Sequence, residues 1–330
     1  MTSSATHASR KTPVDTLDFV KVTELAALAA SRWMGRGERD TADGAAVEAM
    51  RDALNDMDIS GRIVIGEGER DEAPMLFIGE ELGSGSYEVD IAVDPVEGTN
   101  LVANGLPNSI AVMAIAERGG LLHAPDSYME KLAVGHRAAP YVHIDAKVHD
   151  NLQAVANALE RPITDVTVVI LDRPRHADLI AAVRESGARI KLISDGDVDA
   201  AIATAVEGTG IHVAMGIGGA PEGVLAAAAL KCLGGGFMGR LKPRNDEEAA
   251  RAAAMGFGDL DRVLTMNDLV RAENIVFTAT GITDGDLVRG VNFFGNNART
   301  HSILMHSRNG TLRHIESVHR LGAKPVTLRR

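Results

Sequence analysis

The N-terminal part of the chain carries its apolar residues at helical spacing. Over 14–35 they recur every three or four positions, which predicts an amphipathic helix that ends at Gly35. A polar loop follows, and a second helix is predicted where Val47, Met50 and Leu54 share one face. The chain is therefore predicted to begin with two amphipathic helices.

Strand-like runs come next, and several end in a turn of glycine and acidic residues. Residues 63–65 lead into Gly-Glu-Gly-Glu, and residues 91–93 lead into Asp-Pro-Val-Glu-Gly-Thr. Further strands are predicted at 109–116, 141–144, 166–171, 189–193, 212–215 and 274–280, with a hairpin of 302–305 and 312–315 around 308–310.

From about residue 162 the predicted strands alternate with helices. This order predicts an α/β protein with a doubly wound sheet, in which ligands gather at the carboxyl ends of the strands. The predicted helices cover 151–160, 176–186, 197–206 and 223–232, and residues 256–274 are interpreted as a solvated helix pair.

Composition narrows the classes of protein. A chain of 330 residues with 45% hydrophobic content can bury a large core, and its length favours one large or two smaller domains. No run approaches the roughly 18 apolar residues of a membrane span. The net charge of −11 argues against binding to nucleic acid or to an acidic membrane. Residues 1–14 have no signal-peptide core and Cys232 is the single cysteine, so a flexible tail on a cytoplasmic protein without an internal disulfide is expected.

Five carboxylates stand at predicted strand or helix ends beside small residues. Taken singly, Asp43 fits an N-cap, the pair Asp94 and Glu97 fits an Asx-type turn, and Glu222 fits the first turn of a helix. Taken together with Glu67, they form an oxygen-only set that suits Mg²⁺ or Mn²⁺. Two such ions could clamp the attacking and leaving oxygens of a phosphoryl transfer.

Other strand ends carry residues that could bind an anionic substrate. The helix expected after Thr99 could aim its first N–H groups at a phosphate, with the Thr99 hydroxyl orienting a water. Arg173, Arg175 and His176 could hold a second phosphate, or form only a solvated loop. The turn at 195–197 could bind sugar hydroxyls or simply cap a helix.

At this level the sequence resembles a known family. VDPVEGTN is similar to the DPxD/EGT signature of the lithium-sensitive, metal-dependent sugar and inositol phosphatases. Eight more segments, in order over about residues 15–320, resemble class II fructose-1,6-bisphosphatases. The resemblance implies a layered αβαβα fold and Mg²⁺- or Mn²⁺-dependent removal of the 1-phosphate of fructose 1,6-bisphosphate. The segments are GRGERDTADGAAVEAM, VIGEGERDEAPML, APDSYMEKLAVG, LDRPRH, SDGDV, GIGGAPEG and ATGITDGDL, after an opening KVTELAALAA.

The resemblance also implies a role for each matching position. The metal ligands would be Asp43, Glu67, Asp94, Glu97 and Glu222, with Thr99, Asp94 and Glu67 as the catalytic residues. The substrate contacts would be Glu97, Gly98, Thr99, Tyr128, Arg173, Pro174, Arg175, Asp195, Gly196, Asp197 and Gly219. A metal-binding subdomain would cover 15–160 and a substrate-binding subdomain 161–330, with the last strands returning to the first.

Two positions modify this interpretation, and other functions stay open beside it. Arg39 stands where many members have lysine, and arginine keeps the charge but does not readily transfer a proton. Asn100 resembles photosynthetic-type relatives that also cleave sedoheptulose 1,7-bisphosphate. Three alternatives stay open. The chain could cleave both bisphosphates, it could be an inositol or nucleotide monophosphatase, or it could be a non-catalytic protein that binds sugar phosphates. A homo-oligomer, either dimer or tetramer, is expected.

Overall fold

The computed structural model describes residues 15–68 and 75–321, and the tail predicted for residues 1–14 lies outside them. The helices are α1 Thr16–Ser31, α2 Arg39–Asn55, α3 Thr99–Asn104, α4 Val148–Ala158, α5 Ala177–Glu185, α6 Asp197–Ala203, α7 Ala220–Leu233, α8 Asp246–Ala254 and α9 Met266–Leu269. The strands are β1 Ser60–Ile65, β2 Glu81–Leu82, β3 Glu88–Glu97, β4 Ile110–Glu117, β5 Tyr128–Val134, β6 Thr167–Leu171, β7 Arg189–Ile193, β8 Val213–Gly219, β9 Gly236–Leu241, β10 Leu264–Thr265, β11 Ile275–Gly281, β12 Asn292–Phe294, β13 Asn297–His306 and β14 Thr311–Arg320.

The strands form two sheets. The first sheet has the order β12-β13-β11-β4-β3-β1-β2, with β14 paired to β13, and the second has the order β10-β9-β5-β8-β6-β7. Strand β5 joins the second sheet, while β11 to β14 belong to the first, so the chain crosses between the sheets twice. The division into subdomains near residue 160 stays a prediction.

Helices cover both sheets and separate them. Helices α1 and α2 pack on one face of the first sheet through Leu28 and Met50. Helix α7 lies between the sheets, in a core shared by Phe277 of the first sheet and Met129 of the second, and α6 packs beside it. Helices α4 and α5 cover the outer face of the second sheet around Leu152. These five layers confirm the predicted αβαβα arrangement.

The alanine-rich sequence of α7 explains how it fits between two sheets. Small side chains let both sheets approach the helix closely at native packing density. One close approach is at Gly223, where a Cβ atom would lie 2.7 Å from the sulfur of Met129 on β5. The middle layer is therefore thin, and this holds the start of α7 against the strand ends of both sheets.

Three predicted elements were wrong. The second sheet is not doubly wound throughout. Within it, only β6, β7 and β8 run parallel, whereas β5, β9 and β10 pair antiparallel. The strand predicted at 141–144 is absent, since a 3₁₀ turn at Ala139–Tyr141 contains Pro140, which lacks the N–H that a ladder needs. The helix pair predicted at 256–274 is reduced to β10 and the single turn α9, which a reciprocal Thr265–Asp268 capping box begins.

The C-terminal hairpin is confirmed. Strands β13 and β14 pair antiparallel over ten residues each, around a 3₁₀ turn at Ser307–Asn309 and Gly310 at φ +56°. Only a residue without a Cβ atom adopts this left-handed backbone at little cost. Within the described residues, none of the helices has both the length and the apolar character needed to span a membrane.

Candidate active site

The end of β3 delivers two carboxylates to the same cleft. The register of β3 against β4 shifts between Asp94 and Glu97, so the strand bulges where Pro95 and Val96 stand. The Val96 N–H donates to Oδ1 of Asp94 at 3.0 Å. The Val198 N–H, in the first turn of α6, donates to Oε1 of Glu97 at 2.9 Å. The predicted acidic turn is thus confirmed as an irregular strand end, and backbone donors from β3 itself and from α6 hold it.

The five predicted carboxylates line a single cavity of about 380 Å³. Carboxylate oxygens of Asp94, Glu97 and Glu222 all lie within 4.8 Å of one another, an arrangement that could hold a metal ion. Asp43 and Glu67 share a hydrogen bond in the same cavity. The structure therefore brings together acids from α2, the end of β1, the end of β3 and the first turn of α7.

The cavity is electrostatically unfavourable without a cation. Burial is the largest cause that raises the pKa of Asp94, to about 7, and the nearby Glu222 and Asp43 raise it further. Burial and the charge of Asp94 hold the pKa of Glu97 well above its usual range, and burial and the charge of Asp43 do the same for Glu67. A metal ion would replace the protons that these groups otherwise retain.

Glu222 supplies an independent indication of a missing partner. Its Oε2 atom is buried and has no hydrogen-bond partner among the described residues. Burial raises the pKa of Glu222, and the charge of Lys131 partly opposes that rise. An uncompensated buried carboxylate oxygen is costly unless it is protonated or binds a cation. The oxygen-only donor set and this atom fit a hard divalent ion.

Two glycines at the end of β8 make room for the acids. A Cβ atom on Gly218 would lie 2.0 Å from Oδ2 of Asp197, and one on Gly219 would lie 1.9 Å from Oε2 of Glu222. Both carboxylates therefore lie directly on the strand backbone. The glycine pair in GIGGAPEG is explained by this close approach rather than by a turn.

A group of cationic side chains lies at the neighbouring strand ends of the second sheet. Tyr128 pairs with Gly219 across β5 and β8, and the Arg175 and Arg244 guanidinium groups lie 4.7 and 4.9 Å from its ring centre. Arg175 also donates to the Ile217 carbonyl at 2.6 Å. Within the described part of the chain, Arg175 forms no ion pair, so its remaining charge is available to an anion.

Arg173 is held in the same way. Its guanidinium donates to the carbonyls of Asp172 at 3.0 Å and Ser194 at 2.6 Å, and no carboxylate of the described residues pairs with it. These bonds place Arg173 between the start of the loop after β6 and the loop after β7. Both predicted arginines are thus held by backbone carbonyls and are free of ion pairs within the described residues, so they could bind an anion.

The turn at 195–197 joins the two parts of the cleft. Asp195 lines the carboxylate cavity and accepts from the Asn100 side chain at 3.1 Å. Gly196 has φ +85° and precedes α6, and Asp197 is paired with Lys131 of β5 at 2.8 Å. Asp195 therefore faces the carboxylate cavity, whereas Asp197 lies beside Lys131 in the adjoining pocket that His176 also lines.

The remaining predicted residues lie partly in the carboxylate cavity and partly in the loop after β6. Gly98 and Thr99 line the carboxylate cavity at the start of α3. The interpretation of His176 as an anion ligand was wrong, because both its ring nitrogens bond to the backbone. Its Nδ1–H donates to the Leu171 carbonyl at 2.7 Å and its Nε2 accepts from the Ile217 N–H at 2.7 Å. His176 therefore supports the loop that carries the arginines. Pro174 begins the 3₁₀ turn of that loop.

Sequence reasoning missed Lys131 and Arg244. Lys131 is only 8% exposed and neutralises Asp197, and Arg244 extends the stack on Tyr128. A lysine followed by the apolar residues 132–134 of a strand was the available signal for Lys131, since a buried lysine needs a partner. Arg244 carried no signal, because the loop after β9 lies far from Tyr128 in sequence.

These features define a class of protein, an α/β layered protein whose clustered carboxylates could bind a metal, with unpaired arginines at the neighbouring strand ends. Residues 15–319 match the family model described as bacterial fructose-1,6-bisphosphatase, glpX-encoded. The chain therefore belongs to this family.

The names of two similar proteins agree with the family. A protein of Synechococcus sp. (strain JA-3-3Ab) is 50% identical over 94% of this chain and 97% of its own length. A protein of Trichodesmium erythraeum (strain IMS101) is 48% identical over 93% of this chain and 96% of its own length. Both are named D-fructose 1,6-bisphosphatase class 2/sedoheptulose 1,7-bisphosphatase.

Proposed function

We propose that this chain is a metal-dependent phosphatase that hydrolyses the 1-phosphate of D-fructose 1,6-bisphosphate, giving fructose 6-phosphate and inorganic phosphate. The observation that carries the proposal is the cavity where five carboxylates meet and Oε2 of Glu222 is buried without a partner. The preformed arginines beside it suit a substrate with two phosphates. Family membership over residues 15–319 supports the same reaction.

The metal would be Mg²⁺ or Mn²⁺. Its ligands would be Asp43, Glu67, Asp94, Glu97 and Glu222, with Glu67 and Asp94 also acting on the reacting groups. A divalent ion in this site would neutralise phosphate charge and lower the pKa of a water. The Arg39 side chain lines the same cavity, and its charge lowers the pKa of Asp43 against the larger effect of burial. Arginine at this position would act through that charge and not as a proton carrier.

The remaining residues would bind and orient the substrate. The Thr99 hydroxyl, at the first residue of α3, would position the attacking water, with Glu97 and Gly98 beside it. Asp195, Gly196 and Asp197 would meet the sugar hydroxyls. The second phosphate would lie against Arg173 and Arg175, supported by Pro174, Tyr128 and Gly219.

A second candidate substrate is sedoheptulose 1,7-bisphosphate. The names of the two relatives above include this activity, at 50% and 48% identity over nearly the whole chain. The arginines and the carboxylate cavity would serve a seven-carbon sugar with the same two terminal phosphates. We therefore propose dual activity on the two bisphosphates.

The test is phosphate release from fructose 1,6-bisphosphate after chelator treatment and after addition of Mn²⁺ or Mg²⁺. Sedoheptulose 1,7-bisphosphate and inositol 1-phosphate are assayed beside it. The proposal expects metal-dependent turnover of the bisphosphates and little turnover of the monophosphate, because binding of the remote phosphate supports the chemistry. Equal turnover of inositol 1-phosphate would favour a monophosphatase. No turnover of any of them would favour a sugar-phosphate-binding protein.

The substitution Arg175→Gln tests whether the second phosphate of the substrate binds at this arginine. The substitution keeps the polar side chain but removes the charge, so the KM for the bisphosphate is expected to rise about tenfold or more. Arg184→Gln on the exposed face of α5 is the matched control. Unchanged KM in Arg175→Gln would remove this arginine from the substrate site.

Membership of the lithium-sensitive superfamily is also proposed. Inhibition of turnover by LiCl, with NaCl at the same concentration as the control, tests it. Insensitivity to LiCl would leave only the family match.

We also propose a cytoplasmic dimer or tetramer. Phe293 and Phe294 are exposed on β12, at the edge of the first sheet, which supports an interface there. Light scattering after gel filtration gives the mass, and a monomer would contradict the proposal.

A further inference from the structure

A second cavity, the distal pocket, lies at the end of the second sheet away from the carboxylates. It has a volume of about 280 Å³, close to the lower limit of about 300 Å³ for small-molecule sites. Its walls come from the loop after β5, the loop after α4, the loop after α6 and the start of β8. The residues that matter are Arg137, Arg161, Thr204, Glu207, Gly208 and His212.

Hydrogen bonding fixes the tautomer of His212. The Thr167 N–H donates to Nδ1 of His212 at 2.9 Å, so Nδ1 is the acceptor. The neutral ring then carries its proton on Nε2. Burial, followed by the charges of Arg161 and Arg189, lowers the pKa of His212 against a smaller opposing effect of Asp165, which favours this neutral form.

The Nε2–H of His212 faces another donor. Nη1 of Arg161 lies 2.5 Å from Nε2, and guanidinium nitrogens only donate. Two donors cannot bond to each other, and Arg161 forms no ion pair with any described carboxylate. An oxyanion that accepts from both N–H groups, with the Arg161 side chain shifted away from the ring to admit it, would remove the conflict.

The charge of the distal pocket fits an anion. Among the residues that line it within the described chain, two are arginines and two are histidines, whereas Glu207 is the single acid. Arg137 is paired with Glu160 at 2.9 Å at the exposed rim, so Arg161 supplies the uncompensated charge. The Thr209 hydroxyl donates to the Ala203 carbonyl at 2.7 Å and so fixes the loop after α6 that lines the pocket.

We propose that the distal pocket is a second, non-catalytic site that binds a phosphate group between Arg161 and the Nε2–H of His212. The ligand is inorganic phosphate or a small phosphate monoester, since both present the same oxyanion and the cavity admits little more.

Three elements connect this site with the catalytic cleft. Strand β5 begins at Tyr128 in the cleft and leads to the pocket loop at Gly135, and β8 runs back from His212 to Gly219. Helix α6 begins at Asp197 and ends beside Thr204. A strand of seven residues spans roughly 20 Å, so a ligand here does not compete with substrate for the same space.

The test is calorimetric titration of inorganic phosphate into the chelator-treated full-length protein. Wild type is expected to bind saturably, Arg161→Gln to bind at least about tenfold more weakly, and Arg184→Gln to match wild type. Arg175→Gln is expected to retain this binding, because Arg175 belongs to the catalytic cleft. Arg161→Glu, which reverses an exposed charge, is the second variant, and turnover of fructose 1,6-bisphosphate checks that both variants are folded.

Each outcome decides the proposal. Saturable binding lost in both Arg161 variants supports it, and tighter binding of ribose 5-phosphate than of inorganic phosphate identifies the monoester. Absence of binding in wild type overturns it, as does binding that Arg161→Gln keeps. Binding lost only in Arg175→Gln would place all the phosphate in the catalytic cleft.

Discussion

Strand β3 carries two aspartates four residues apart, one fully buried and one half-buried, and their partners are opposite. Asp90 is fully buried, and both its oxygens accept strong bonds, from Arg62 at 3.0 Å and from the Gly119 N–H at 2.6 Å. Asp94 has one backbone donor and otherwise faces Glu97 and Glu222. Among the described residues, Arg62 therefore pairs with Asp90, whereas no cationic side chain pairs with Asp94.

This difference distinguishes a carboxylate that stabilises the fold from one that is available to bind a ligand. Burial of an unpaired charge is strongly unfavourable, so a fold that keeps several unpaired acids together retains them for a reason other than stability. Glu80 follows the pattern of Asp90, because Arg51 donates to its Oε1 at 2.7 Å. The distinction lies in whether each acid has a cationic partner.

The largest expected effect is loss of activity in Asp94→Asn. The amide keeps the shape of the side chain but removes a negative charge from the proposed metal site, so kcat is expected to fall about 10³-fold or more. The measurement is metal-saturated turnover of fructose 1,6-bisphosphate. Because the substitution also relieves repulsion, the chelated variant should unfold at a higher urea concentration than chelated wild type at pH 8. Activity near wild type would contradict the proposed role of Asp94.

Asp90→Asn should lower the stability of the protein and leave its activity unchanged. It leaves the Arg62 charge without its partner near a buried strand, so the free energy of unfolding is expected to fall by about 1–3 kcal/mol. Urea unfolding measures this, and kcat at 25 °C should stay close to wild type. A catalytic loss as large as that of Asp94→Asn would abolish the distinction between the two aspartates.

The same comparison predicts a pH dependence for the metal-free protein. An unfolded Asp94 loses its proton near pH 3.8, whereas the folded group retains it to about pH 7 because of burial and neighbouring acids. Between these values the folded state binds more protons, so this contribution to stability is lost as pH rises. The Tm of chelated protein should therefore decrease between pH 5 and pH 8, less steeply in Asp94→Asn. An identical slope in the variant would show that Asp94 is ionised throughout.

Much of this comparison could be predicted from the sequence. The turn after residues 91–93 places Asp94 and Glu97 beyond a buried strand, and hydrophobic periodicity located α1, α2 and the strands around them. Contacts between residues that are distant in sequence could not be predicted. No local pattern shows that Arg62 reaches Asp90, that Lys131 reaches Asp197, or that backbone groups occupy both nitrogens of His176.

Turn chemistry explains the other failures. Pro140 overrode the apparent strand at 141–144, and the acidic and glycine residues of 256–274 formed a capped single turn instead of helices. The alternation of helix and strand was correctly recognised, but it does not show that antiparallel β5 and β9 would complete the sheet, because they pair across long stretches of chain.

The smallest expected effect is on metal affinity in Gly219→Ala. The added Cβ atom would lie 1.9 Å from Oε2 of Glu222, so that carboxylate must turn away from Asp94 and Glu97 while remaining in the cavity. Displacing one ligand without removing its charge is expected to weaken Mn²⁺ binding about tenfold. Titration of chelated protein with Mn²⁺ measures this, and saturating metal should restore most of the turnover. Gly258→Ala is the control, since a Cβ atom there meets nothing within 4 Å. If Gly219→Ala binds Mn²⁺ as tightly as the control, Glu222 is not a ligand, and its unpartnered oxygen needs another explanation.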